Sequence, residues 1–149
     1  MAKKISTPET DSSSGPKALK SFGQHFLSNK GVVSKICDEI ALLMGSSKKT
    51  PLIEIGPGPG ALTEEILKRG YTLVAVEIDP RMAEHLRSRF SREIETGQFT
   101  LLHKDALTLK AEDFPFADDY VICGNLPYNV GSPLVFNFLE QFPRARAFC

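Results

Sequence analysis

Apolar positions along the chain change their period once, near residue 45. Before it Val33, Ile36, Ile40 and Leu43 recur at three- and four-residue steps. This is the spacing of one helix face and predicts a helix over 30–44, with Ser28 or Asn29 as its cap and Gly45 as its stop. Beyond it, Pro51–Ile55, Thr72–Val76, Phe99–Leu102 and Tyr120–Cys123 are short apolar runs, each ending in a polar or glycine-rich turn, and they predict four strands. Helical stretches follow three of the four: Ala61–Arg69 closing at Gly70, Pro80–Phe90 with proline at a first helical position, and Pro133–Gln141 with an apolar face of Leu134, Val135, Phe138 and Leu139. Strands and helices in alternation predict an α/β doubly wound sheet with mostly parallel strands. Residues 106–118 are less regular, and Phe114, Pro115 and Phe116 are expected to pack a loop against the sheet. At Ala145–Cys149 a fifth strand would be starting, so the sheet is expected to be truncated before its end, as the front piece of something longer.

Composition narrows the class. A chain of 149 residues, 42% hydrophobic and 24% charged, suits one domain with a real core and excludes a wholly disordered, collagen-like or disulfide-stapled protein. No apolar run approaches the ~20 residues of a membrane span, and no signal-peptide stretch opens the chain. Cys37, Cys123 and Cys149 show no paired spacing and are expected to be packing residues in a reducing compartment, which points to the cytoplasm. Residues 1–16, rich in Ser, Thr, Pro and charge, predict a disordered leader ahead of a single domain over 17–149. The net charge of zero hides an asymmetry: +4 over residues 1–50 and −4 over 51–149. A basic front portion suggests a polyanion partner.

Ligands of open α/β sheets settle outside the carboxyl ends of the strands, near the point where strand order reverses. Four successive strand ends carry recognition chemistry: Glu54 with Gly56-Pro57-Gly58-Pro59-Gly60, Glu77 with Asp79, Asp105, and Asn125-Leu126-Pro127-Tyr128. The loop has G-x-G-x-x-G/A spacing if Ala61 takes the last place, and Glu77 lies 21 residues after Gly56, where a ribose-binding acid belongs. That fingerprint suits a dinucleotide or another adenosine cofactor. Pro57 and Pro59 lack N–H groups, which leaves few donors for a pyrophosphate. Glu54 would repel phosphate but suits an ammonium. S-adenosylmethionine, which joins adenosine to an amino acid and a sulfonium, meets both conditions. Asp105 is read either as an ordinary turn cap or as the acceptor for the adenine amino group.

Asn125-Leu126-Pro127-Tyr128 follows the fourth strand, beside the glycine loop if the strand order is 3-2-1-4-5. An adenine amino group is a weak nucleophile because its lone pair is delocalised into the ring. The Asn125 side-chain oxygen and a main-chain carbonyl near Leu126 or Pro127 could hold its hydrogens and favour a pyramidal nitrogen. Tyr128 would stack on the extruded base, an interaction worth ~1–3 kcal/mol. No metal, protein nucleophile or strong base is needed, because positioning alone can supply ~7–11 kcal/mol. Otherwise the tetrapeptide is a turn with a packed tyrosine.

Taken together the motifs resemble those of the ribosomal RNA adenine dimethyltransferases. Phe22-Gly23-Gln24-His25-Phe26-Leu27 is similar to the family's N-terminal cofactor motif, residues 54–63 to its glycine loop and Glu77-Ile78-Asp79 to its ribose-binding acid. Asp105-Ala106-Leu107 resembles its adenine-contacting turn, and Asn125-Leu126-Pro127-Tyr128-Asn129 its catalytic motif. The resemblance implies a Rossmann-like class I methyltransferase in which His25, Leu27, Gly56, Gly58, Glu77, Asp105 and Asn125 line an S-adenosylmethionine site. Asn125, Leu126, Pro127 and Tyr128 then form the catalytic motif, with Tyr128 against the target base. It further implies a monomer that dimethylates two neighbouring adenines near the 3′ end of small-subunit rRNA in the pre-30S particle, with Lys17 and Lys20 available to RNA phosphate. Family members continue into further strands and a helical C-terminal domain. A non-catalytic RNA-binding assembly factor and an NAD-dependent dehydrogenase are the competing functions. His85 and His103 are expected to be surface or packing residues.

Overall fold

The computed structural model describes residues 27, 29–45, 50–114, 119–126, 128–143 and 145–148. The expectations for residues 1–26, Ser28, Pro115, Phe116, Pro127 and Cys149 fall outside the described residues. Five parallel strands form one sheet: Leu52–Ile55 (β1), Leu73–Glu77 (β2), Phe99–His103 (β3), Tyr120–Cys123 (β4) and Ala145–Phe148 (β5). Their order is β3-β2-β1-β4-β5, so strand order reverses between β1 and β4. The fifth strand, whose start alone was expected, pairs with β4.

β1, β2 and β4 are buried along their whole length because both faces of the sheet are covered there. Leu52, Leu73, Ala75, Val121 and Cys123 pack on one face with α1 (Lys30–Met44), α2 (Ala61–Lys68) and α3 (Pro80–Arg89). Ile53, Ile55, Val74, Val76 and Ile122 face the other side, where Leu109, Phe114, Phe138 and Phe142 cover them. Phe138 and Phe142 belong to the last turns of α5 (Tyr128–Gln141) and the residue beyond it, and pack edge-on at 5.3 Å. Phe114 holds the irregular connection down against Phe142 and Tyr120, as expected of this segment. That connection contains two single 3-10 turns, Ala106–Thr108 and Ala111–Asp113.

Helix α1 has the expected limits, capped by Asn29, whose Oδ1 accepts from the amides of Gly31 at 2.9 Å and Val32 at 3.2 Å. Its buried stripe is Val33, Cys37, Ile40 and Met44. The expected stripe ran one residue off this line. Leu43 is 39% exposed and Ile36 only half-buried, because a seam of four-, three- and four-residue steps passes through Cys37 and Met44. The Cys37 thiol is pushed up to about 11, chiefly by burial, and Cys37 and Cys123 are both buried.

Helix α3 opens as predicted on Pro80, with Asp79 Oδ1 accepting from the Arg81 amide at 2.9 Å. A short helix α4 (Ser91–Glu95) follows after a break at Phe90. Helix α5 differs more. It begins at Tyr128 instead of Pro133, directly out of the Asn125 motif. Val135 and Leu139, expected in its buried face, are 40% and 57% exposed. Among the described side chains of α5, Phe138 is buried against the sheet, with Phe142 packed edge-on beside it. No helix among the described residues is long and apolar enough to cross a membrane.

Candidate functional site

The turn from β1 to α2 is built from glycines with left-handed backbone, Gly56, Gly58 and Gly60, at φ of 67°, 55° and 87°. This loop uses all of its backbone donors internally. Gly56 donates to the Val76 carbonyl at 2.9 Å and Gly60 to the Pro57 carbonyl at 3.0 Å. The Gly58 amide donates to Glu77 Oε2 at 3.0 Å, and Pro57 and Pro59 have no N–H to offer. A pyrophosphate would therefore meet no unused amide between residues 56 and 60, and would lie against a carboxylate.

Glu77 is the last residue of β2, 3% exposed. Its Oε1 accepts from the Asp79 amide at 2.8 Å. Burial pushes its carboxyl upward, while the backbone bonds from Asp79 and Gly58 pull the other way. The two oxygens thus accept from the backbone and still carry lone pairs, the arrangement that can accept the hydroxyls of a ribose diol. Asp79, placed with Glu77 by sequence, serves α3 instead: it caps the helix and pairs with Arg81 Nη2 at 2.6 Å.

Asp105 is half-buried in the first turn beyond β3. Its Oδ1 accepts from the Leu107 amide at 2.9 Å, so the ordinary capping role is present. Its Oδ2 has no hydrogen bond among the described residues. Two exposed apolar residues without any signal in the apolar pattern lie in the turns that follow β2 and β3. Ile78 and Leu107 leave the ends of β2 and β3 with 47% and 48% of their surface exposed. Apolar side chains left open at neighbouring strand ends offer flat contact to a purine ring. A large aliphatic residue next to a strand-end acid was the available signal.

The corner from β4 to α5 lies against the glycine loop. Leu126 Cδ2 is 3.9 Å from where a Cβ on Gly56 would stand, Asn125 is exposed, and Tyr128 opens α5. The fold thereby brings Gly56, Gly58, Glu77, Asp105, Asn125 and Leu126 to one edge, at the carboxyl ends of β1 to β4. Leu27 is half-buried against the α1–α2 core. His25 and Pro127 lie outside the described residues. His103 is exposed, its Nε2 3.2 Å from the Ile78 carbonyl, and His85 is half-buried.

Glu54 departs from its expected role as an ammonium partner. It is 2% exposed, and its Oε2 accepts from the Thr63 hydroxyl at 2.7 Å. Burial pushes its carboxyl up to about 7, despite the Thr63 bond. The side chain ties β1 to the first turn of α2, behind the glycine loop. Among the described residues no group of three or more His, Cys, Asp or Glu could hold a metal ion.

The sequence profile of the ribosomal RNA adenine dimethylase family matches residues 15–148. The chain belongs to that family. Among curated relatives, the ribosomal RNA small subunit methyltransferase A of Bifidobacterium longum (strain DJO10A) is 38% identical over 139 residues, 90% of this chain and 44% of that protein. The protein of the same name from Hahella chejuensis is 39% identical over 126 residues, 84% of this chain and 44% of the relative. This member of the adenine dimethylase family thus spans about 44% of the length of these relatives. Its sheet is that of class I S-adenosylmethionine-dependent methyltransferases. The crystal structure of the 23S rRNA methyltransferase ErmE aligns with a TM-score of 0.66 at 28% identity, over 81% of this chain and 45% of that one. A dimethyladenosine transferase from Plasmodium falciparum aligns with 0.59 at 27% identity, over 81% and 40%.

Proposed function

We propose that this chain binds S-adenosylmethionine across the carboxyl ends of β1 to β4, and that its site directs methyl transfer to the amino groups of two adjacent adenosines near the 3′ end of small-subunit rRNA. The observation that carries the cofactor class is the loop whose amides are all engaged. It suits a ligand with a ribose but no phosphate, and it disfavours the dinucleotide alternative. The relatives named for small-subunit rRNA support the substrate.

Glu77 accepts the ribose hydroxyls, each charge-assisted bond worth ~1.5–3 kcal/mol. Ile78 and Leu107 cover the two sides of the purine, and Asp105 Oδ2 accepts from its amino group. Gly56 and Gly58 let the backbone lie close to the amino acid portion. The cofactor supplies an electrophilic methyl on a sulfonium. Asn125, with a carbonyl of its own corner, holds the hydrogens of the target amine, and Tyr128 stacks on the swung-out base. The residues need no proton acceptor of unusual strength, because the barrier falls through placement and aimed dipoles. A second transfer keeps one amine hydrogen on an acceptor while the first methyl turns aside.

The test is transfer of labelled methyl from S-adenosylmethionine to unmethylated small ribosomal subunits. Label is expected in the adenine amino group. Asn125→Ala is expected to lower transfer by about 100-fold or more while the affinity for S-adenosylhomocysteine stays within about threefold. Equal transfer by that variant would remove the mechanism. Cofactor binding with no transfer to any subunit would favour a non-catalytic assembly role.

A further inference from the structure

Gly124 joins β4 to the Asn125 motif, and its place in the sheet leaves no room for a side chain. The register pairs Cys123 with Glu54, which brings Gly124 alongside Ile55 at the end of β1. A Cβ built on Gly124 would stand 2.5 Å from the Ile55 carbonyl oxygen and 3.4 Å from the Ile55 carbonyl carbon and Cβ. Comfortable carbon–oxygen contacts begin at roughly 3.3 Å. The obstacle is backbone at the centre of a parallel sheet, and no side-chain rotation relieves it. The Ile55 carbonyl belongs to the last residue before the glycine loop, while the residue after Gly124 is Asn125.

From this geometry we infer that Gly124 is a positioning residue: its missing side chain sets the distance between Asn125 and the glycine loop. The inference rests on the proposed function for its catalytic meaning, because β1 carries the cofactor loop and β4 carries the amine acceptor. Any side chain at Gly124 pushes the β4–α5 corner outward by roughly 0.5–1 Å, and a displacement of that size across a reacting pair costs about 100-fold in rate. Cofactor affinity changes little, since Glu77, Asp105 and the glycine loop, which hold the ribose, the purine and the amino acid portion, follow β1 to β3, and Asn125 alone of the cofactor-lining residues moves with the corner. The partition between singly and doubly methylated adenine also shifts, because the second transfer demands the tighter fit.

The test compares the wild-type chain with Gly124→Ala and with Gly97→Ala. Gly97 is a left-handed residue, φ 75°, with open space around it, in the turn before β3, so its variant matches a loss of stability without touching the site. Crystal structures of wild type and Gly124→Ala are expected to show the corner moved away from Ile55 while β1 to β3 superpose. Calorimetry with S-adenosylhomocysteine should give affinities within about threefold for all three chains, and turnover should fall about 100-fold or more in Gly124→Ala alone, with a larger share of monomethyladenine. An unmoved corner, or unchanged turnover and product ratio in an active series, overturns the inference. A moved corner in chains that bind cofactor but never transfer methyl upholds the positioning role and sinks the methylation reading instead.

Discussion

The Gly58 amide donates to the Glu77 carboxylate at 3.0 Å, joining the middle of the glycine loop to the last residue of β2. One side chain therefore holds the loop's shape and presents the acceptors for a ribose. The second tie, from the Asp79 amide at 2.8 Å, fixes the carboxylate plane.

Loss of that carboxylate should be felt in binding more than in folding. Glu77→Ala removes two charge-assisted acceptors, worth ~1.5–3 kcal/mol each, and is expected to weaken S-adenosylhomocysteine affinity by about 100-fold or more. Glu77→Gln keeps one carbonyl acceptor and should lie between. Calorimetry on both variants checks this, and unchanged affinity in Glu77→Ala would contradict the ribose assignment.

Gly60 combines a left-handed backbone with close packing. Its φ is 87°, and a Cβ there would stand 2.7 Å from Phe90 Cε2 and 2.8 Å from Leu86 Cδ2, both on buried side chains. Gly60→Ala is expected to cost roughly 2–4 kcal/mol, the sum of left-handed strain and overpacking. Gly97→Ala, with nothing within 4 Å, should cost about 1–2 kcal/mol from strain alone. Urea denaturation of the two variants separates the contributions, and equal losses would remove the packing term.

The buried Glu54 makes stability depend on pH in a definite direction. Its carboxyl is raised from 4.5 to about 7 by burial, so between those values the folded chain holds a proton that the unfolded chain has released. Its contribution is complete below the unfolded value and is lost as pH rises through about 7, amounting to roughly 3 kcal/mol. Glu54→Gln keeps an acceptor for Thr63 and never ionises. The stability of wild type relative to this variant is expected to fall by roughly that amount between about pH 4 and about pH 8. Parallel denaturation curves at the two pH values measure it; a constant difference would mean that folding leaves the Glu54 carboxyl unshifted.

The alternation of apolar runs and helix signals was enough to specify a parallel doubly wound sheet, because strands covered on both faces carry no polar alternation and must be linked by crossover helices. The glycine loop and its acid were legible for a similar reason: left-handed turns and buried carboxylates demand particular residue types at short, regular separations. Burial faces were not. Cys37 and Met44 look too mild to mark a seam, and Val135 and Leu139 look apolar enough to be core, since which side of a helix meets the sheet depends on how neighbouring side chains fill the space between them. Tertiary structure alone left Ile78 and Leu107 exposed beyond β2 and β3, withdrew Glu54 behind the loop to meet Thr63, and pressed Gly124 against the Ile55 carbonyl. These relationships join residues on different elements, and the assembled sheet, through strand register and the seating of its helices, decides which of them meet.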